Sequence, residues 1–266
     1  MGKSKWMGIL IITLMVFGLA VTAGAVTLEE IIQRGELVVA CQTQGPPFSF
    51  VDKKGERTGS SIELCKVLAQ EMGVKIKFLD YDWDGLIPAL LSKKADMLAA
   101  DMTATPKRAL KINFTNPFVV TKMCAFTKQD SAIKALADGK KEGLKIAVLL
   151  GSTGESTAKK LFPKAEIKPY KGGGPLLLDA VLQGHADFGV NDESAVTGQL
   201  ASFPPNSIRI LKEKLSQEPL AFAVRYDSPE LREWINLFFE TARMDGRMDQ
   251  NLNYWVNSNE WEKEHK

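Results

Sequence analysis

A short unit that occurs twice in the chain constrains the fold more than any other feature. Residues 89–101 read A-L-L-S-K-K-A-D-M-L-A-A-D, and residues 180–192 read A-V-L-Q-G-H-A-D-F-G-V-N-D. Each copy has the pattern of a helix end, a short turn, an apolar strand and a terminal aspartate, which is Asp101 in the first and Asp192 in the second. The repeat predicts two similar α/β lobes that present their strand ends to a common cleft.

The first copy of this unit runs into a polar segment that ends in an arginine. Residues 97–100 are apolar and have the length of a buried parallel strand. In open α/β sheets ligands bind beyond the carboxyl ends of the strands, so Asp101, Thr103 and Arg108 are candidates to line a cleft. The alternative from these residues alone is an ordinary loop with a solvated arginine.

A second polar segment follows the strand predicted for residues 145–149. It reads G-S-T-G-E-S-T and precedes a predicted helix at residues 157–162. Hydroxyl groups and backbone N–H groups at a helix start favour an anion, which makes Ser152 and Thr153 candidate ligands. The segment lacks the G-x-x-x-x-G-K-[ST] pattern of nucleotide-binding loops, so a carboxylate is the better candidate.

Two further loops are predicted at the same cleft. The first follows the strand at residues 37–40 and reads C-Q-T-Q-G-P-P, a rigid turn whose side chains, Gln44 among them, would flank the cleft. The second contains Trp83 and lies before a helix predicted for residues 85–92. Trp83 would either pack within its lobe or stack on the side chain of a ligand.

Two extended segments are predicted to cross between the lobes. The first crossing follows residue 114 and continues to residue 127. The second falls between Lys214 and Pro219, separating extended pieces at residues 208–211 and 220–225.

Helical patterns account for much of the remaining chain. Residues 132–137 are predicted to open the second lobe as a helix. Residues 229–245 and 248–256 are amphipathic, and they are predicted to return as helices to the first lobe.

The N-terminus has the pattern of an export signal. Lys3 and Lys5 precede an apolar run at residues 9–21, and A-G-A follows at residues 23–25. We expect residues 1–25 to be a signal peptide that is cleaved after Ala25. A permanent membrane anchor is the alternative, but its apolar run is short against the roughly 20 residues that a span needs.

Charge and composition exclude several kinds of function. Without residues 1–25, which contain two lysines and no acidic residue, the chain carries 32 basic and 32 acidic side chains. This balance argues against a nucleic-acid partner. The chain has two histidines and no metal-ligand spacing, so neither a metal nor a cofactor is expected.

The cysteine count is odd, so at least one of Cys41, Cys65 and Cys124 is unpaired within the chain. A bridge between Cys41 and Cys65 is conceivable. Buried free thiols are favoured, because each cysteine lies in an apolar element.

The order of several motifs resembles the family 3 periplasmic solute-binding proteins, the polar amino-acid receptors of ABC importers. The resemblance covers residues 27–256 and is carried by G-E-L-V-V-A, P-P-F-S-F, W-D-G-L-I-P-A-L, M-T-A-T-P-K-R, I-N-F-T-N-P-F, K-I-A-V-L-L-G-S-T, A-D-F-G-V-N-D and D-G-R-M-D-Q. It implies an α/β fold of two lobes, each a mostly parallel sheet flanked by helices, hinged by two crossing strands. Lobe 1 would hold residues 26–118 and 218–266, and lobe 2 would hold residues 119–217.

The resemblance also implies roles for particular residues. Arg108 would clamp the α-carboxylate of an amino acid, with Thr103 and Thr153 as further donors. Asp192 would bind the α-ammonium group, and Trp83 would form a wall of the site. These roles suit a zwitterion, because a guanidinium binds a carboxylate through two parallel hydrogen bonds while an aspartate takes the ammonium.

The chain departs from the family pattern at two positions near this site. Gly45 stands where many members have an aromatic residue, so half of the usual side-chain sandwich is missing. Asp101 replaces a small residue, where it would either favour a basic side chain or hold the turn at the strand end.

The resulting hypothesis is a monomeric periplasmic or secreted protein that binds a polar or charged L-amino acid and delivers it to an ABC permease. A first alternative is an enzyme on the same fold, a cyclohexadienyl dehydratase acting on prephenate or arogenate, with Glu193 as general acid. A second alternative is a sensory input module for a larger receptor.

Overall fold

The computed structural model describes residues 27–266. The predicted signal peptide and its cleavage site lie outside these residues. No helix in the described part of the chain is long and apolar enough to cross a membrane.

The described residues form a mixed α/β structure, as predicted. The helices are α1 (Leu28–Arg34), α2 (Ser60–Met72), α3 (Leu86–Leu91), α4 (Pro106–Ala109), α5 (Thr153–Leu161), α6 (Pro175–Leu182), α7 (Glu193–Leu200), α8 (Pro229–Met244), α9 (Arg247–Trp255) and α10 (Glu260–His265), with 3-10 turns at Trp83–Gly85 and Asp138–Lys140. The strands are β1 (Glu36–Cys41), β2 (Gln44–Gly45), β3 (Ser49–Val51), β4 (Arg57–Thr58), β5 (Lys75–Asp80), β6 (Met97–Thr103), β7 (Asn113–Phe114), β8 (Val119–Lys128), β9 (Lys145–Leu149), β10 (Glu166–Tyr170), β11 (Phe188–Asp192) and β12 (Ile208–Val224).

The main sheet has two parallel halves joined by two long antiparallel strands. Its order is β10-β9-β11-β8-β12-β6-β1-β5, with the short β7 paired to β12. Strands β5, β1 and β6 are parallel on one side, and β10, β9 and β11 are parallel on the other. Strands β8 and β12 are antiparallel to each other and run through both halves. The small strands β2, β3 and β4 form a separate sheet.

Each half of the sheet has its own hydrophobic core. One pair of clusters is built from strands β1 and β6 with helices α2, α3, α8 and α9, and we call this half lobe 1. The other pair is built from strands β9 and β11 with helices α5, α6 and α7, and we call this half lobe 2. Trp83 packs against a cluster of each lobe, so the two cores meet at this side chain.

The repeated unit occupies equivalent places in the two lobes, as predicted. Its first copy is the end of α3 followed by β6, and its second copy is the end of α6 followed by β11. Strand β6 lies between parallel β1 and antiparallel β12, and β11 lies between parallel β9 and antiparallel β8.

The repeated aspartates Asp96 and Asp187 make equivalent hydrogen bonds in the two copies. The Asp96 carboxylate accepts the backbone N–H of Val38 at 2.8 Å, and the Asp187 carboxylate accepts that of Lys145 at 2.7 Å. Each aspartate therefore fixes the start of its strand against the neighbouring parallel strand.

Two details of the predicted connections were wrong. The extended pieces at residues 208–211 and 220–225 are not separate, because one 17-residue strand, β12, runs from Ile208 to Val224 and includes the predicted crossing at residues 214–219. Residues 132–137 are not helical, and only the short turn Asp138–Lys140 follows them. The carboxylate of Asp138 accepts the backbone N–H groups of Lys134 and Ala135, at 2.9 and 3.1 Å, which competes with helical hydrogen bonds.

The C-terminal helices return to lobe 1, as predicted. Helices α8 and α9 supply Phe239 and Met248 to its core. Helix α10 was not predicted, and its buried Trp261 packs on Phe50 of the small sheet with ring centroids 5.3 Å apart. The three cysteines are buried free thiols, as expected.

Candidate functional site

An enclosed cavity lies between the two lobes at the carboxyl ends of β6 and β11. Both lobes contribute to its wall, and polar side chains predominate. Lobe 1 provides Gln42, Gly45, Trp83 and Asp101, and lobe 2 provides Leu149, Ser152, Thr153, Gly174, Asn191, Asp192, Ala195 and Gln199.

Asp101 reaches this cavity because β6 is irregular at its end. The pairing of β12 with β6 shifts register between Ala221 and Ala223, which leaves residues 99–101 as a bulge on β6. Asp101 has a φ of 43°, in the left-handed region that Asp and Asn adopt more readily than most residues. Bulges commonly redirect a side chain next to a functional site, and here the bulge accompanies a buried carboxylate.

Asp192 ends β11 and occupies the N-cap position of α7. Its side chain makes no capping hydrogen bond to the helix. Burial raises the pKa of Asp192 to about 8, and the charge of Glu218 adds to that increase while Arg108 opposes it. Asp192 is 8% exposed, so the closed site holds its carboxylate away from water.

The cavity contains hydrogen-bond acceptors that have no donor. Within residues 27–266, three of the six fully buried polar side-chain atoms without a partner belong to its wall, and all three are oxygens: Asp101 Oδ1, Asp192 Oδ1 and Gln199 Oε1. Buried acceptors are costly without a donor, so the site is suited to a guest that brings N–H groups.

Arg108 is the cationic side chain next to these acceptors. It lies on α4, where the Thr105 hydroxyl caps its backbone N–H at 3.2 Å. Its guanidinium donates to the carbonyl of Thr103 in lobe 1 at 2.9 Å and to that of Gly151 in lobe 2 at 3.2 Å. It also stacks over the Trp83 ring, 5.2 Å from the centroid. Burial lowers the pKa of Arg108, and the charges of Asp192, Glu218 and Asp101 oppose that decrease.

Three hydroxyl side chains, those of Thr103, Ser152 and Thr153, lie in the same part of the site as Arg108. Arg108 lines a groove that adjoins the cavity and shares Ser152 and Thr153 with it. The Thr103 and Thr153 hydroxyl oxygens, one from each lobe, are 3.4 Å apart. The Ser152 hydroxyl instead accepts the backbone N–H of Glu155 at 3.1 Å and caps α5. The structure therefore brings Arg108, Thr103 and Thr153 together, with Ser152 partly committed to its helix.

Gln44 flanks the cleft but does not line the cavity. It is exposed in an outer groove beside Pro46, and a Cβ atom on Gly173 of lobe 2 would lie 3.0 Å from its Oε1. Gln42 lines the cavity instead. Gln42 is fixed there because its carbonyl accepts the side chains of Ser49 and Arg57. Both glutamines stand in the same loop, so composition alone could not separate them.

Three other lining residues were not predicted. Asn191 precedes the predicted Asp192, and its position in the A-D-F-G-V-N-D motif could have indicated it. Gln199, two helical turns after Asp192 along α7, and Gly174, which lies opposite Gln199, had no sequence signal. A Cβ atom on Gly174 would lie 2.1 Å from the Gln199 amide nitrogen, so this position has no room for a side chain.

The lobes are in close contact around the cavity. The Trp83 backbone N–H donates to the Gly172 carbonyl at 3.3 Å, across the cleft. Helix α7 packs so tightly on the loop of lobe 1 that a Cβ atom on Gly198 would lie 2.7 Å from Pro47 Cδ. These contacts describe a closed conformation.

The side chain considered as a general acid, Glu193, lies outside the cavity wall. Glu193 forms an ion pair with Lys214 and is absent from the lining residues. Among residues 27–266, no group of three or more His, Cys, Asp or Glu side chains is arranged to hold a metal ion.

The fold and the charged cavity between its lobes define a two-lobe solute-binding protein. The chain belongs to the bacterial extracellular solute-binding proteins, family 3, whose family model matches residues 37–258. The resemblance found in the sequence is thereby confirmed.

Relatives and solved structures agree with this assignment. The chain is 26% identical over 259 residues to the L-cystine-binding protein TcyJ of Escherichia coli (strain K12), with 96% of each chain covered. It is similar to the ancestral amino acid-binding protein AncCDT-1, a precursor of cyclohexadienyl dehydratase, with 37% identity, a TM-score of 0.79 and coverage of 86% of this chain and 99% of that chain. An ancestral arginine-binding protein bound to arginine is 34% identical with a TM-score of 0.77, covering 84% of this chain and 98% of that chain.

Proposed function

We propose that this protein binds a polar or charged L-amino acid between its lobes and delivers it to the permease of an ABC transporter. The observation that carries the proposal is the closed cavity between the lobes. The orphaned carboxylate of Asp192, from lobe 2, lies in its wall, and the guanidinium of Arg108, from lobe 1, lies in the groove that adjoins it. The similar proteins include cystine-binding and arginine-binding proteins, which supports the same ligand class.

In the proposed complex the α-carboxylate binds at the Arg108 side of the cavity. The guanidinium would exchange its carbonyl partners for two parallel hydrogen bonds to the carboxylate, which are charge-assisted and stronger. The hydroxyls of Thr103 and Thr153 would turn from each other toward the same carboxylate. Because these two threonines belong to different lobes, one ligand group would stabilise the closed form.

The α-ammonium group would bind Asp192. This interaction supplies the donors that the buried carboxylate lacks and restores its ionised form, which burial disfavours. Trp83 would cover the ligand from lobe 1. Only a guest with both charges satisfies Arg108 and Asp192 at once, so the site would select zwitterions over simple amines or acids.

We propose that the protein has no catalytic activity. The dehydratase alternative requires Glu193 as a general acid, but that carboxylate is paired with Lys214. The relatives named above are described as binding proteins.

We further propose an extracytoplasmic location, with residues 1–25 as a signal peptide cleaved after Ala25 and a monomeric mature chain. The hinged lobes would comprise residues 26–118 with 218–266, and residues 119–217. The membrane partner would be an ABC permease.

Titration calorimetry with a panel of L-amino acids tests the proposed function. We expect at least one amino acid to bind, and we expect Arg108→Ala and Asp192→Ala each to weaken that binding at least about 30-fold, because each leaves a buried opposite charge unpaired. Arg232→Ala and Asp245→Ala are matched controls, since both residues form ion pairs on the helices of lobe 1 outside the cavity. Unchanged affinity in both cavity variants, or no binding of any amino acid, would refute the proposal.

A further inference from the structure

We propose that the ligand carries a second cation on its side chain and that Asp101 binds that cation. This inference rests on the proposed function, because it assumes that an amino acid occupies the cavity. It assigns the ligand to the basic amino acids and makes Asp101 a specificity-determining residue.

The charges that face the cavity do not balance with a neutral amino acid. Asp101 and Asp192 are the charged residues in the cavity wall, and Arg108, in the adjoining groove, is a cation that acts on both. Glu218 also acts on Asp192 and Arg108, but it does not line the cavity. A zwitterion uses Arg108 for its carboxylate and Asp192 for its ammonium, which leaves Asp101 buried without a partner. An ammonium or guanidinium group on the ligand side chain would complete the balance.

The contacts of Asp101 favour a role in ligand binding over a role in holding the turn at the strand end. The residue is 7% exposed, and its Oδ1 atom has no hydrogen-bond partner. A carboxylate that merely held the turn at the strand end would accept nearby backbone N–H groups, as Asp138 does in lobe 2. The bulge in β6 instead gives Asp101 a place in the cavity wall.

Gly45 leaves space beside this carboxylate. A Cβ atom on Gly45 would lie 3.7 Å from Asp101 Oδ1 and 2.8 Å from Gln42 Oε1. A side chain at position 45 would therefore fill the approach to both oxygens. With glycine there, two acceptors face a space that a cationic group with several N–H donors can use.

The alternative is that the Asp101 carboxyl group stays protonated, and therefore uncharged, when a ligand is bound. Burial, and then the charge of Asp192, raise the pKa of Asp101 well above its ordinary value, while Arg108 acts in the opposite direction. A neutral acid would make no distinction between a charged ligand side chain and an uncharged one of the same shape. The two accounts therefore predict different ligand preferences.

The test is titration calorimetry with pairs of amino acids that differ in side-chain charge but little in shape, namely arginine with citrulline and lysine with norleucine. For the unmodified protein we expect the basic member of at least one pair to bind at least about 30-fold more tightly. In Asp101→Asn we expect that ratio to fall close to one. Asparagine has the size of aspartate and tolerates a positive φ, so this variant keeps the bulge.

Asp192→Asn serves as the comparison variant, because it should weaken both members of a pair and so retain most of the ratio. If the unmodified protein binds neutral amino acids as tightly as basic ones, or if Asp101→Asn keeps the ratio, the inference is overturned while the proposed function stands. If no amino acid binds the unmodified protein, both are overturned. The ratio for the unmodified protein decides between these outcomes even if Asp101→Asn does not fold.

Discussion

We expect the buried carboxylates to affect the equilibrium between open and closed forms of the cleft. Asp101 and Asp192 lie in a closed cavity with oxygens that accept no hydrogen bond. Withdrawing a charge from water without a partner is unfavourable, so these residues oppose closure of an empty cleft. A ligand that brings donors to them removes this penalty, which couples binding to closure.

Closure of the empty protein should therefore depend on pH. In an open form, water reaches Asp192 and its pKa should lie near the ordinary value of about 4, whereas in the closed cavity it is raised to about 8. Between these values the closed form holds a proton that the open form has lost, so closure without ligand is favoured at low pH and becomes less favourable as the pH rises toward 8.

Small-angle scattering of the ligand-free protein at pH 5 and pH 8 would measure this effect. We expect a smaller radius of gyration at pH 5. The double variant Asp101→Asn, Asp192→Asn should lose most of the difference, since Asp101 has a raised pKa for the same reason. A radius that decreases as the pH rises would contradict this account of the buried carboxylates.

At the residue scale, positions at strand ends were easier to predict than positions within a loop. Arg108 follows β6 and Asp192 ends β11, and parallel strand ends mark ligand sites in α/β sheets. Gln42 could not be distinguished from Gln44, because the hydrogen bonds that the Gln42 carbonyl accepts come from Ser49 and Arg57. Such non-local partners leave no pattern in a single sequence.

Helix α7 is the element that brings lobe 2 against lobe 1. It begins after Asp192, carries Gln199 in the cavity wall, and presents Gly198 to the Pro46–Pro47 loop. A Cβ atom on Gly198 would lie 2.9 Å from the carbonyl oxygen of Pro46 as well as 2.7 Å from Pro47 Cδ. The glycine is therefore needed for close approach of the lobes.

Gly198→Ala should weaken ligand binding without weakening the fold. Alanine is a better helix former than glycine by about 1 kcal/mol, so we expect the free energy of unfolding to stay the same or rise. The added methyl group prevents full closure, and we expect at least about a tenfold loss of affinity in calorimetry. Thr197→Ala, at an exposed position of the same helix, is the control and should bind normally. Normal binding by Gly198→Ala would mean that this contact is not required for closure.

Among the elements, strands β6 and β11 and the helices before them could be predicted, because the same sequence pattern occurs in both copies of the repeat. Residues 132–137 have helical periodicity, but the Asp138 side chain binds the backbone N–H groups of Lys134 and Ala135 and the segment is irregular. The continuity of β12 could not be predicted either, since its central residues Lys212, Glu213 and Lys214 are polar and interrupt the apolar pattern.

On the scale of the whole molecule, the described residues form two lobes that share strands β8 and β12. These strands pair with each other along the length that joins the halves of the sheet, so the lobes are connected by paired extended chain. The order of motifs along the chain was sufficient to predict this architecture, because the family pattern covers both lobes. The closed contact between Trp83 and Gly172 was not predictable, since it depends on how the lobes meet.

A crystal structure of the mature protein grown with arginine would show whether the two lobes bind the opposite charges of an amino acid. We expect arginine in the cavity, with its α-carboxylate on the Arg108 guanidinium of lobe 1 and its α-ammonium on the Asp192 carboxylate of lobe 2. A bound amino acid that contacts neither Arg108 nor Asp192, or that lies outside the space between the lobes, would contradict it.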